Sequence, residues 1–326
     1  MCFLIPPAGT SANPTRRCIL NQRMKRIITA LILIPLVLLL VFLGPKWQFL
    51  FTLLVALVAA LAAWEYIRLV ERGGANPPRF VVLAAILALF AGRFFADLSA
   101  IAGTNSLAAL IREGATQLNF EFLRHTELVF GILALVLLVV CAFRPPVENV
   151  MGDAAVSIFC LFYVGFTLNT ILALRDETNG PSLIVFLLCV VWAGDIFALY
   201  IGRAWGRHKM IPSLSPKKTW EGALGSAAGS LLAAGALLGL SELFEMWNST
   251  LLSYRDEEVW YWLVMALVVN AAAQVGDLAE SALKRSVGVK DSGDLLPGHG
   301  GMLDRIDALL LAAPVLWYAQ MIQQRF

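Results

Sequence analysis

Between Gln274 and Asp307 the chain reads QVGDLAESALKRSVGVKDSGDLLPGHGGMLDRID, a crowd of acids, bases, glycines and one histidine in an otherwise apolar sequence. Asn270, Gln274, Asp277, Ser281 and Lys284 recur at steps of four, three, four and three, so on an α-helix they form one stripe. An ionisable side chain within a membrane span is costly, faces the bundle interior or a water-filled cavity, and by default marks a functional site. The blander alternative has Asp277 in an interhelical hydrogen bond or paired with Lys284, which leaves its polar neighbours unexplained.

The loop that follows the stripe is rich in glycine, which allows close backbone approach and lets amide groups line an anion site. Lys284, Arg285, Lys290 and Arg305 add charge suited to phosphate oxygens. Asp304 and Asp307 lie three apart at the start of the next apolar run and share a face. With Asp277 they offer hard oxygen donors of the kind that hold Mg²⁺ together with substrate phosphates. Capping the helix against its dipole explains one of the two acids and leaves the other. His299, in Gly-His-Gly-Gly, suits a proton donor, a phosphate ligand or a structural hydrogen bond.

A second polar segment runs from Asp195, which shares a helix face with Leu199 and Gly202, through Arg203 and Arg207 to His208-Lys209-Met210-Ile211-Pro212-Ser213-Leu214-Ser215-Pro216-Lys217-Lys218-Thr219-Trp220-Glu221-Gly222. Ser215, Lys217, Lys218 and Thr219 immediately before a helix suit phosphate at its positive end, with Thr219 or Ser215 as the cap. A basic anchor at the membrane surface, with Trp220 at the interface, accounts for the lysines but not for the set. Asp195 is a secondary candidate, either pairing Arg203 or supporting a metal's ligands.

The elements that must position these residues are membrane spans. The chain is 59% hydrophobic and 15% charged, with mean hydropathy +0.75, against roughly 45–50% apolar and about 25% charged in soluble domains. The sequence predicts an all-α, polytopic membrane helix bundle of about nine transmembrane helices. Apolar runs fall at 27–44, 47–70, 80–96, 128–143, 153–174, 181–202, 222–243, 258–280 and 307–323, with 97–127 as a loop. Residues 1–26 form an N-terminal tail in which Met24-Lys25-Arg26 reads as a natural start, 27–150 the N-terminal membrane helices, and 151–326 the C-terminal helices that carry the site. The first run lacks a small-residue cleavage site, so it reads as a retained helix. Lys and Arg gather before the first span and after the second, fourth, sixth and eighth, which sets those ends in the cytoplasm, opposite the acidic stretch 241–258. Net charge of +2 is too small to imply a nucleic-acid partner, and the basic residues cluster in a few loops. Five cysteines without CxxC or metal spacing read as buried small side chains, and Asn248-Ser249-Thr250 is a chance-level glycosylation triplet.

Ser281, Lys284-Arg285, Lys290-Asp291, Pro297, His299-Gly300-Gly301 and Asp304-Arg305 to Asp307 resemble the signature of the phosphatidate cytidylyltransferase (CDP-diacylglycerol synthase) family. Ser215-Pro216-Lys217-Lys218-Thr219-Trp220-Glu221-Gly222 and Gln274-Val275-Gly276-Asp277 are similar to two further segments of that family, in the same order, and Trp64-Glu65-Tyr66 to a segment often found there. The resemblance covers about the C-terminal half and is closest in length to bacterial members.

It implies transfer of a cytidylyl group from CTP to phosphatidate at a bacterial cytoplasmic (inner) membrane, with the site facing the cytoplasm. In that reading Asp277, Asp304 and Asp307 hold Mg²⁺, with a second cation such as K⁺, while Lys217, Lys218, Lys284 and Arg285 neutralise phosphates. Ser215, Thr219, Lys290, His299 and Arg305 contact substrates, and Asp195, Arg203, Gln274 and Ser281 support them. CTP, phosphatidate and the lipid bilayer are the implied partners, with a homodimer as a further expectation. Two rivals are a CTP-dependent lipid or polyprenol kinase and a secondary transporter. No internal repeat supports the transporter, and the polar residues gather at one end of the bundle.

Overall fold

The computed structural model describes residues 31, 33–101, 126–247, 251–254, 258–293, 295 and 300–323. The expectations placed on residues 1–26, on Asn248-Ser249-Thr250, on Pro297 and on His299 lie outside them.

Every apolar run with described residues is helical. In chain order the helices are α1 (Leu33–Phe42), α2 (Gln48–Arg72), α3 (Arg79–Ile101) and α4 (Thr126–Ala142). A long span follows, built of α5 (Val150–Cys160), a π-helical turn (Leu161–Phe166) and α6 (Thr167–Asp176). Then come α7 (Gly180–Ala204), α8 (Trp220–Met246), α9 (Val259–Ser286) and α10 (Leu303–Gln323). Among the described residues six stretches are long and apolar enough to cross a membrane: α2, Val147–Asp176, α7, α8, α9 and α10. The protein is therefore a multi-pass membrane helix bundle. Backbone groups saturated within each helix are what permit such segments to sit in hydrocarbon.

Of the boundaries that differ from the sequence reading, three bear on the expected loop or on the site. Helix α3 runs to Ile101, into the stretch expected to be a loop. Helix α9 continues past 280 to Ser286, and α10 begins at Leu303 instead of 307. In α9 and α10 the extra turns are polar, and they stay helical because their side chains find partners across the bundle. The structure also adds a small β-hairpin to an otherwise helical fold. Strand β1 (Lys209–Ile211) pairs antiparallel with β2 (Ser215–Thr219), with Lys209 opposite Thr219 and Ile211 opposite Ser215.

Because lipid is as apolar as leucine, close packing and polar contacts hold such helices together. Gly222, Gly225, Ser226, Gly229 and Ser230 make a buried small-residue face on α8, which lies against α7. Trp262, Phe186 and Tyr254 fill the core nearby with edge-to-face contacts. The described cysteines, Cys141, Cys160 and Cys189, are free thiols, the first two buried.

Candidate active site

The polar stripe of α9 is real, and it divides by depth. In its upper half Asn270 Nδ2 donates to Ser226 Oγ at 2.7 Å and Ser230 Oγ at 2.8 Å on α8, while Gln274 Nε2 donates to Asn270 Oδ1 at 2.6 Å. The first two contacts join α9 to α8, and the third braces Asn270 from within α9. In its lower half Asp277 Oδ2 meets Lys218 Nζ at 2.7 Å, so its cation comes from the hairpin and not from Lys284.

The hairpin carries Lys217 and Lys218 to this point. Thr219 ends β2 and caps α8, its Oγ1 accepting from Gly222 N at 3.1 Å. That fixes which of the two candidate hydroxyls caps the helix; Ser215 lies in β2 opposite Ile211 instead. His208 closes the turn against Glu221, ring to carboxylate at 2.6 Å.

Asp195 on α7, Lys217, Lys218 and Thr219 from the hairpin, Gln274 and Asp277 on α9, and Asp304 and Asp307 on α10 line one cavity of about 380 Å³. Asp195 is exposed to it. Helices α9 and α10 approach closely at Gly276, where a Cβ would come within 2.6 Å of the Asp307 carbonyl oxygen. Glycine beside Asp277 is thus what brings Asp277 and Asp307 to the same wall.

Asp304 differs from the other acids in how fully it is engaged. Its Oδ1 accepts from Lys284 Nζ at 2.5 Å, and its Oδ2 accepts from Ser292 N at 3.0 Å and Gly301 N at 2.9 Å. Lys284 also pairs with Glu280, whose side chain is fully buried. Next to this cluster stands Glu65 of α2, buried and accepting from Met302 N at 2.9 Å and Leu303 N at 2.8 Å. The open amides at the positive end of α10 are therefore capped by a carboxylate from another helix. The Ser292 hydroxyl lies 3.0 Å from both Glu65 Oε2 and Asp304 Oδ2, with one proton to place between two carboxylates.

Around the rim, Arg285 donates to Leu214 O at 3.3 Å and Val289 O at 2.9 Å, tying the end of α9 to the hairpin turn and to its own loop. Arg203, Lys290 and Arg305 are exposed, and Ser281 is partly buried on α9. Sequence reasoning noted Glu65 only within a similar segment and did not single out Glu280 or Ser292. Glu280 had a usable signal, since Glu followed four residues later by Lys is a favourable helical pair.

Among the described residues no three His, Cys, Asp or Glu side chains come close enough to form a metal cage by themselves. The donor set nevertheless suits Mg²⁺, which binds through one or two carboxylates plus substrate phosphates and waters. Asp195, Asp277 and Asp307 supply hard oxygens along one cavity wall, beside lysines that attract phosphate.

The model of the cytidylyltransferase family matches residues 24–322. The chain is similar to the phosphatidate cytidylyltransferase of Brucella abortus biovar 1 (strain 9-941), at 47% identity over 158 residues, 48% of this chain and 54% of the relative. That of Haemophilus influenzae is 39% identical over 144 residues, 44% of this chain and 47% of the relative. The match to these two thus spans about half of their length. The phosphatidate cytidylyltransferase of Staphylococcus haemolyticus is 30% identical over 262 residues, 80% of this chain and 95% of the relative.

Proposed function

Since the chain belongs to the cytidylyltransferase family, we propose that it transfers the cytidylyl group of CTP to phosphatidate, giving CDP-diacylglycerol and diphosphate. The observation that carries this reading is the convergence of two polar segments, far apart in sequence, on one cavity with the acids of α7, α9 and α10.

In this reaction a phosphate oxygen of phosphatidate forms the new bond at the α-phosphorus of CTP, and the bond to the β-phosphate breaks as diphosphate leaves. The nucleophile is already present on the lipid, so the protein's task is positioning and charge neutralisation. Lys217 and Lys218 stand where they can take the negative charge of the triphosphate and of the departing diphosphate. Asp277 and Asp307, with Asp195 beside them, would hold Mg²⁺, which when bound supplies a template and a Lewis acid for the phosphates. Asp304 has a different task, because its oxygens are committed to Lys284, Ser292 and Gly301. It fixes the glycine-rich loop and orients Lys284. Thr219 fixes the start of α8 beside these lysines, its hydroxyl accepting the Gly222 amide.

We assign the cavity to the cytoplasmic face of a bacterial inner membrane, on the basis of the basic loops flanking it. There CTP arrives from water while the lipid's chains remain in the bilayer.

The test uses purified protein in detergent with phosphatidate, Mg²⁺ and CTP labelled at the α- or γ-phosphate, comparing the unaltered chain with Asp277→Asn. Label from the α-phosphate in lipid, with release of diphosphate and loss in the variant, is the expected result. Lipid labelled only from the γ-phosphate would mean a kinase, and absence of CTP turnover would overturn both readings.

A further inference from the structure

Away from the cavity just described, the cytoplasmic ends of α2 and α3 enclose a second concavity of about 570 Å³, lined by Trp64, Arg68, Glu71, Arg72 and Arg79. Its charges are not equivalent. Glu71 is bound by Arg79 through two guanidinium nitrogens, the second at 2.8 Å, so that pair is internally neutral. Arg68 and Arg72 are exposed, and among the described residues neither has an ion-pair partner. Two guanidinium forks therefore face one recess without a carboxylate of their own.

The helix beneath them is graded along one face. Leu53 and Leu57 are 53% and 55% exposed, Leu61 and Trp64 follow at helical spacing, and Arg68 and Arg72 end the stripe. Exposed leucine, then tryptophan, then arginine is the order in which a phospholipid presents its chains, its glycerol region and its phosphate. Charge alone would be satisfied by a surface anchor. Convergence of these arginines on a recess between two helices adds the shape that a headgroup requires.

We propose that this recess binds the phosphate headgroup of an anionic phospholipid of the cytoplasmic leaflet, at a site separate from the catalytic cavity. Arg68 and Arg72 hold the phosphate as bidentate donors, and the Leu53 to Trp64 face carries the acyl chains. The site adjoins the catalytic loop through Gly73, where a Cβ would lie 2.9 Å from Val287 Cγ1. Glu65, one turn before Arg68, holds the start of α10. The proposal does not depend on which reaction the protein catalyses.

The experiment measures retention of phosphatidylglycerol, an anionic lipid without a reactive phosphomonoester, by the full chain in phosphatidylcholine nanodiscs, using native mass spectrometry. Arg68→Gln with Arg72→Gln is expected to weaken phosphatidylglycerol retention about tenfold, whereas Asp277→Asn leaves it unchanged. Both arginines are exposed, so the double variant should fold. As a check that needs no variant, retention by the unaltered protein must fall as salt rises. Equal retention by the double variant, or retention insensitive to salt, overturns the proposal. Displacement of the lipid by inorganic phosphate alone would also overturn it, by making the recess a free-anion site.

Discussion

Leu303 donates its amide to Glu65 at 2.8 Å, although 238 positions separate the two residues. The same carboxylate takes the amide of Met302, so one acid of α2 fixes where α10 begins and thereby where Asp304 and Asp307 stand. Glu65→Ala strands the buried Leu303 amide, at about 1–3 kcal/mol, and the partly buried Met302 amide beside it. The expected result is a clear drop in the thermal midpoint together with loss of turnover. Glu65→Gln, which keeps an acceptor, should recover part of both, as read by melting in detergent and by diphosphate release.

Lys284 bridges Glu280 and Asp304. Removing it as Lys284→Met leaves a fully buried carboxylate without its cation, for which about 3–5 kcal/mol is a typical loss. Adding Glu280→Gln in the same chain should restore much of the stability without restoring turnover. If the double variant is no more stable than Lys284→Met, Glu280 is not the partner that matters.

Asp277 and Lys218 form the ion pair that spans α9 and the hairpin at 2.7 Å. Under the proposed reaction, Asp277→Asn should lower kcat by about 10²–10³ and raise the Mg²⁺ concentration needed for half activity. Lys218→Met should act chiefly on KM for CTP. Both residues are partly exposed to the cavity, so neither change should move the melting midpoint far. Titration of activity against Mg²⁺ separates the two effects.

Asn270 holds Ser226 and Ser230 within the bundle and, unlike Ser226, does not itself line the cavity of the hairpin lysines. Asn270→Ala should cost about 0.6–1.7 kcal/mol, the range of interhelical hydrogen bonds in membranes, and leave KM for CTP unchanged. A shift in KM comparable to that of Lys218→Met would mean that the upper stripe belongs to the substrate site as well.

How much of this was legible beforehand follows the range of the interaction. The stripe from Asn270 to Lys284 is set by helical period and could be read directly, whereas local sequence leaves Thr219 and Ser215 as equal candidates for the cap of α8 until the hairpin chooses Thr219. Which partner each stripe residue chooses could not. Asp277 takes Lys218 from a hairpin that no apolar periodicity announces, and Lys284 takes Glu280 and Asp304 in preference to Asp277. Asp304 and Asp307 look equivalent as a spaced pair. Both line the cavity, and they become different only when Ser292, Gly301 and Lys284 fold around Asp304 and not around Asp307. Glu65 is the extreme case, an acid in an apolar helix whose partners lie at the far end of the chain.

That separation also has a cost in time. Chains emerge at about 5–20 residues per second, so roughly 12–48 seconds pass between synthesis of Glu65 and of Leu303. Throughout that interval a carboxylate destined for full burial sits in a newly inserted helix without the amides that will satisfy it. The nascent bundle must keep it hydrated or near the membrane surface until α10 arrives. Assembly of the site thus waits for the synthesis of α10, and a ribosome that stops short of Leu303 leaves behind a membrane protein with an unsheltered acid.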